Sequence, residues 1–126
     1  SLVTVWSSTT TGPTDRLPRG RLLGPGASIV SPDRSYTATM QTDGNLVFRR
    51  GSLVVWHSGT RDASRTAYAR FNADGNLTVT GQDDRLLFSA QMGGRGGVAT
   101  VAKSDGTLQI VTASGAAIWS NGVVVK

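Results

Sequence analysis

The chain has 126 residues, enough for one domain that buries its own core. Thirteen basic residues outweigh eight aspartates; there is no glutamate, no cysteine and one histidine, His57. Disulfide frameworks, thiolate nucleophiles and cysteine-type zinc sites are therefore excluded, and general acid–base chemistry has little to work with. The chain is accordingly expected not to be an enzyme and to have no catalytic residue, metal or cofactor.

The apolar runs are three to five residues long, far short of the roughly 20 a spanning helix needs, so no membrane span is expected. Eleven of the thirteen cations are arginines, scattered along the chain in runs no longer than two. That pattern reads as a solvated basic surface, and nucleic acid is not expected as a partner. The arginine-to-lysine ratio and the richness in Ala, Gly and Thr fit a GC-rich bacterial source.

The chain opens at Ser1 with no charged-then-apolar leader, so a signal peptide is expected to be absent or already removed. Leu2 to Ser8 resembles an isolated Trp-bearing strand. Thr9 to Pro18 reads as a linker or irregular loop, with residues 1–15 an N-terminal arm whose placement the sequence leaves open. Arg21–Leu23 and Ala27–Val30, separated by Gly24-Pro25-Gly26, read as short strands leading into the first of three repeats.

The repeats share one pattern. Asp43-Gly44-Asn45-Leu46, Asp74-Gly75-Asn76-Leu77 and Asp105-Gly106-Thr107-Leu108 stand 31 residues apart, twice. Each is followed 13 or 14 residues later by an aromatic (Trp56, Phe88, Trp119) and then by Ser58, Ser89 or Ser120. An alternating stretch precedes each Asp-Gly: Tyr36 to Gln41, Ala67 to Asn72, Val98 to Lys103. Asp-Gly supplies positive φ for a tight hairpin. Second strands run over Asn45–Arg49, Asn76–Thr80 and Thr107–Val111, and third strands over Leu53–Ser58, Arg85–Ser89 and Ala116–Ser120. No stretch has a 3.6-residue rhythm, so the chain is all-β.

Alternation places Leu46, Phe48, Leu77, Val79, Leu108 and Ile110 in a shared core with threefold pseudosymmetry. Trp56, Phe88 and Trp119 are expected near its axis as packing residues. Val123-Val124-Val125 is a further strand at the C-terminal end. Loose strands near both ends suggest closure of the fold by its termini, or exchange with a partner subunit.

Spacing of two also sets Gln41, Asp43, Asn45, Val47 and Arg49 in one line on the outer hairpin face. Amides, a carboxylate, an apolar patch and a cation at this spacing suit a ligand with vicinal hydroxyls, each of which donates and accepts. The row resembles the Gln-x-Asp-x-Asn-x-Val-x-Tyr motif of the bulb-type (monocot) mannose-binding lectins, the B-lectin or β-prism II family, which repeats it three times with a following Trp-x-Ser. The resemblance spans about residues 16–126, so the chain is expected to be a single B-lectin-like domain.

The family resemblance implies β-prism II: three four-stranded antiparallel sheets whose outer faces bind mannose-type glycans without metal. Gln41, Asp43, Asn45 and Val47 match the motif, with Val47 against the sugar ring, and Arg49 replaces its Tyr. A second, weaker site is implied at Asn72, Asp74, Asn76, Thr78 and Thr80. The third row (Lys103, Asp105, Thr107, Gln109, Val111) keeps only its Asp. The resemblance also implies a homodimer through terminal strand exchange, over Trp119 to Lys126, and a secreted or cell-surface location. The alternative is a β-prism scaffold with eroded sugar sites that serves protein–protein recognition.

Overall fold

Each repeat alternates apolar and polar side chains on both sides of its Asp-Gly, and each folds as three antiparallel strands. The computed structural model describes residues 14–125. Three short strands come first: β1 (Arg16–Pro18), β2 (Arg21–Leu23) and β3 (Ser28–Val30). The first repeat forms β4 (Thr37–Met40), β5 (Leu46–Arg50) and β6 (Leu53–His57). The second forms β7 (Tyr68–Phe71), β8 (Leu77–Thr80) and β9 (Leu86–Ser89), with a 3-10 turn at Gln82–Asp84. The third forms β10 (Gly97–Ala102), β11 (Leu108–Thr112) and β12 (Ala117–Ser120), and β13 (Val123–Val124) comes last.

Three antiparallel sheets result, in the orders β3-β4-β5-β6, β2-β7-β8-β9 and β1-β10-β11-β12-β13. The three-sheet β-prism expected from the sequence is present, and the third sheet gains the two-residue β13 at its edge. Leu2 to Ser8 lies outside the described residues.

Two readings of the N-terminal region need correction. Arg16–Pro18, expected to be linker, is a strand that pairs with β10. Arg21–Leu23 does not lead into the first repeat but pairs with β7 of the second. Each three-stranded repeat leaves one open edge at the same end of the prism. Residues 16–30 pass these edges in turn and give each sheet its fourth strand. The fold is thus closed by its own N-terminal segment. The C-terminal segment also stays in its own sheet, where Trp119 pairs with Val124 and Val125 N–H donates to the Ile118 carbonyl at 2.9 Å.

The six expected core residues are all buried at 2% exposure or less. Trp56, Phe88 and Trp119 meet edge-to-face, with ring centroids 5.2 to 6.5 Å apart. They lie on the last-paired strands of the three repeats, so β6, β9 and β12 converge at one end of the prism. The first strands gather at the other. Thr100 faces inward opposite Ile110. Its Oγ1 is buried without a hydrogen-bond partner, at the place that Ala38 and Ala69 fill opposite Phe48 and Val79 in the other two sheets.

The Asp-Gly turns are wider than expected. Gln41 N–H donates to the Asn45 carbonyl, and Gly44 N–H donates back to the Gln41 carbonyl. Only Gly44 takes positive φ (+95°), and Asp43 does not. This is a three-residue turn with its glycine in the left-handed region, and the same pattern recurs at Asn72–Asn76 and Lys103–Thr107.

Candidate functional site

The repeated Asp is first a turn residue. Its Oδ1 accepts from the backbone N–H two residues on, at 3.0 Å from Asn45, 3.0 Å from Asn76 and 3.1 Å from Thr107. Each turn is then clamped by the segment that enters the next repeat. Asp62 N–H donates to the Asp43 carbonyl at 2.9 Å, and Gly94 N–H to the Asp74 carbonyl at 3.0 Å. Around the third turn, Asp33 N–H donates to Ser104 Oγ. The three repeats therefore hold one another in a ring.

The second marker of the repeat is a latch. Ser58 Oγ accepts from Leu46 N–H at 3.0 Å and donates to Asn45 Oδ1 at 3.2 Å. Asn76 Nδ2 donates to Ser89 Oγ at 2.9 Å. In the third repeat the latch is Asn121, which accepts from Leu108 N–H at 2.7 Å, and not Ser120. The constant phase between Asp-Gly and Trp-x-Ser thus records a contact between the hairpin tip and the end of the third strand.

In the first row the turn changes the expected line. Gln41 ends opposite Asn45 at the turn, while Val47 and Arg49 run along β5. The Gln41 amide turns its Nε2 to Asp43, 3.2 Å and 3.3 Å from the two carboxylate oxygens, and its Oε1 accepts from Arg49 Nη2 at 2.9 Å. The reverse orientation would set oxygen on carboxylate and N–H on guanidinium. To reach Gln41, the Arg49 side chain must come back across Val47, which is 3% exposed and flanked by Thr39 and His57. The family motif assigns Val47 to a sugar ring. Here it forms a covered floor, because arginine is long enough to fold over it.

Asn45 is also more engaged than expected. Its Oδ1 accepts from Gly59 N–H at 2.9 Å and Thr60 N–H at 3.3 Å, and its Nδ2 lies 3.3 Å from His57 Nδ1. The first row thus concentrates Gln41, Asp43 and Arg49 head groups at one spot, with Asn45 anchoring the loop beside them.

In the second row the polar atoms satisfy each other. Asn72 Nδ2 donates to Thr78 Oγ1 at 3.0 Å and to the Asn76 carbonyl at 3.1 Å, and Asn76 Oδ1 accepts from Met92 N–H at 3.0 Å. Thr80 lies further along the same strand, at the level of Tyr68. In the third row Thr107 Oγ1 donates to Asp105 Oδ1, and Gln109 Nε2 donates to Thr107 Oγ1.

Residues 59–66 lie outside the repeated motif, and sequence reasoning missed them. They run over the first turn and line a cleft beside Asp43 with Thr42, Arg61, Asp62, Ala63 and Arg65. The Asp62 carboxyl is held below the usual carboxylate range by the N–H groups of Ser64 and Gln82, which donate to it at 2.9 Å and 2.6 Å. Asp33 is lowered likewise, by the hydroxyl and N–H of Ser35 and the hydroxyl of Ser31. Both carboxylates tie down entry loops. The pair of arginines 61 and 65 is legible in the sequence only as part of a scattered set, because its meaning depends on the turn beneath it.

No protein-family model matches the chain, and no curated protein sequence does. Among solved structures, a novel monomeric monocot mannose-binding lectin from Gastrodia elata is 30% identical, with a TM-score of 0.76. The match covers 89% of this chain and 100% of that one. The chain belongs to the monocot mannose-binding lectin family. A mannose-specific agglutinin from snowdrop (Galanthus nivalis) bulbs, solved with methyl-α-D-mannoside, is 25% identical, covering 89% of this chain and 99% of its own, at a TM-score of 0.69. A mannose-specific lectin from dutch crocus (Crocus vernus) shares the fold at 24% identity and a TM-score of 0.71, covering 89% of this chain and 98% of its own. None of these relatives lends support to the bacterial source inferred from composition. Within the family fold, the first row of this chain lies on an outer sheet face.

Proposed function

We propose that this lectin-family chain binds mannose-type glycans directly, without metal, at the first row. The observation that carries this reading is the convergence of the half-buried Gln41 and Arg49 head groups with exposed Asp43 beside the β4–β5 turn. Gln41 and Arg49 are demanded by no turn there. A mannose hydroxyl can replace each bond of the Arg49–Gln41–Asp43 chain, taking the guanidinium as donor and the carboxylate as acceptor. Asn45 adds its Nδ2, and Val47 meets the ring only when Arg49 swings aside. The second row is the weaker site, because its amides are already spent on Thr78, Ser89 and Met92 N–H.

Titration with methyl α-mannoside tests this. Asp43→Ala is expected to weaken binding at least about tenfold, or about 1.4 kcal/mol. Asp105→Ala, the same turn position in the third row, should leave it unchanged. Arg49→Tyr, which uncovers Val47, should strengthen it. Absence of binding at tens of millimolar sugar, or equal loss in both Asp variants, would overturn the reading.

A shallow single site binds weakly, so avidity would come from assembly. Exposed apolar side chains favour a homodimer through the end of the prism: Leu53, Val54 and Val55 on β6, and Val123 and Val124 on β13, with Val125 next in the chain. Exchange of the C-terminal strands is one way to form it. Analytical ultracentrifugation at micromolar protein should give twice the chain mass of 13.2 kDa, and a single species at the chain mass itself would exclude the dimer. A secreted or cell-surface location fits a glycan-binding role.

A further inference from the structure

The cleft beside the first row sets two guanidiniums, Arg61 and Arg65, next to the carboxylates of Asp43 and Asp62. It is lined by Thr42, Asp43, Arg61, Asp62, Ala63 and Arg65. Among the described residues the one ion pair is Arg16 with Asp15, so neither Arg61 nor Arg65 has a carboxylate within 4.0 Å. The two acids of the cleft keep their charge, but their hydrogen bonds go to neutral N–H groups and not to these arginines. Asp62 accepts from Ser64 and Gln82 N–H, and Asp43 accepts from Asn45 N–H and holds Gln41. Arg49 adds a third guanidinium on the far side of Gln41.

The loop backbone that bears the arginines is also held in place. Asp62 N–H is bonded to the Asp43 carbonyl, Thr60 Oγ1 donates to the Gly44 carbonyl at 2.5 Å, and Asn45 grips Gly59 and Thr60. The loop bearing the two cations is therefore docked on the first turn. Arg65 takes a left-handed conformation, φ +62°, which a non-glycine residue adopts at a cost. Its Nη2 lies 3.4 Å from Thr42 Oγ1, against the turn that carries Asp43. The segment entering the third repeat, residues 91–97, has one arginine among four glycines, so the second row has no such pair.

We propose that the first row and this cleft form one extended site for a mannose-type glycan bearing an oxyanion, a phosphate or carboxylate, next to the bound sugar. The inference rests on the lectin reading and specifies the ligand class of that site. Two guanidiniums on one loop offer forked donors that match the planar or tetrahedral oxygens of such a group. Arg49 in place of the family's tyrosine points the same way: a cation at the row suits a charged glycan better than a neutral one.

Calorimetric titration with methyl α-mannoside, mannose 6-phosphate, mannuronate oligomers and inorganic phosphate, each at low and high salt, tests it. One or both anionic sugars should bind about tenfold tighter than methyl α-mannoside at low salt. The phosphate and mannuronate arms tell the two oxyanions apart. The advantage should shrink at high salt. In Arg61→Gln/Arg65→Gln the ratio of anionic to neutral affinity should fall to about one, while Arg61→Lys/Arg65→Lys should retain part of it. Equal affinity for neutral and anionic sugars would overturn this inference and leave the lectin reading standing, and so would a preference that survives in the double glutamine variant. Inorganic phosphate binding as tightly as mannose 6-phosphate would also overturn it, since the sugar row would then contribute nothing. Failure of every sugar would remove the lectin reading and this inference together, and the methyl α-mannoside arm reports that separately.

Discussion

Trp119→Ala is expected to lower the unfolding free energy by about 3–5 kcal/mol. Trp119 is the largest fully buried side chain of the fold. It packs edge-to-face on Trp56 at 5.2 Å and on Phe88 at 6.5 Å, so its loss opens a cavity where the three sheets converge. Aromatic pairs add about 0.5–1.5 kcal/mol beyond burial. Against a total stability of about 5–15 kcal/mol, this is a large fraction. Urea unfolding followed by tryptophan fluorescence and far-UV circular dichroism measures it. A loss below about 1 kcal/mol would show that the axis is not the packing centre.

Gly44→Ala is expected to cost about 3 kcal/mol through a different mechanism. A Cβ there would collide with the Asp62 backbone nitrogen and lie 2.8 Å from the Arg61 carbonyl carbon, at φ +95°. Neither neighbour is a flexible side-chain end, so the docked loop must move. Gly51→Ala is the matched control: φ is +56° and no atom lies within 4 Å of its Cβ, leaving about 1 kcal/mol of conformational strain. The difference between the two variants isolates the clamp. Gly44→Ala should also weaken methyl α-mannoside binding, because displacing Asp62 disturbs the Asn45 hold on Gly59 and Thr60. Equal thermal stability of the two variants would sink the clamp.

Much of the architecture is legible along the chain. The 31-residue phase, the alternation of Leu46 with Phe48 and of Leu108 with Ile110, and the recurrent aromatics lead to three sheets around one axis. The turns are wider than the sequence predicts, because Asp-Gly is compatible with both two- and three-residue hairpins and only backbone pairing distinguishes them. Ser120 is expected to mirror Ser58, whereas Asn121 does so, since it holds the register of Ser58: each stands two residues after its Trp and donates its N–H to the carbonyl of Leu46 or Leu108. Of the candidate site, Gln41, Asp43 and Arg49 are recognisable in the sequence and do come together. The covering of Val47 is not readable there, because spacing reports which face a residue occupies and not how far an arginine folds back along it.

What the sequence determined by itself is the set of elements and their common core. Period-two alternation, turn glycines and apolar volume act locally and recur three times. What only the tertiary structure decided is the distribution of β1, β2 and β3 to three different sheets, and the docking of residues 59–66 on the first turn. Both depend on which open edges and carbonyls the other repeats present, a long-range complementarity that no local pattern encodes. The charge beside the first row is settled at that same level, where Arg61 and Arg65 are carried to Asp43 by the entry segment of the next repeat.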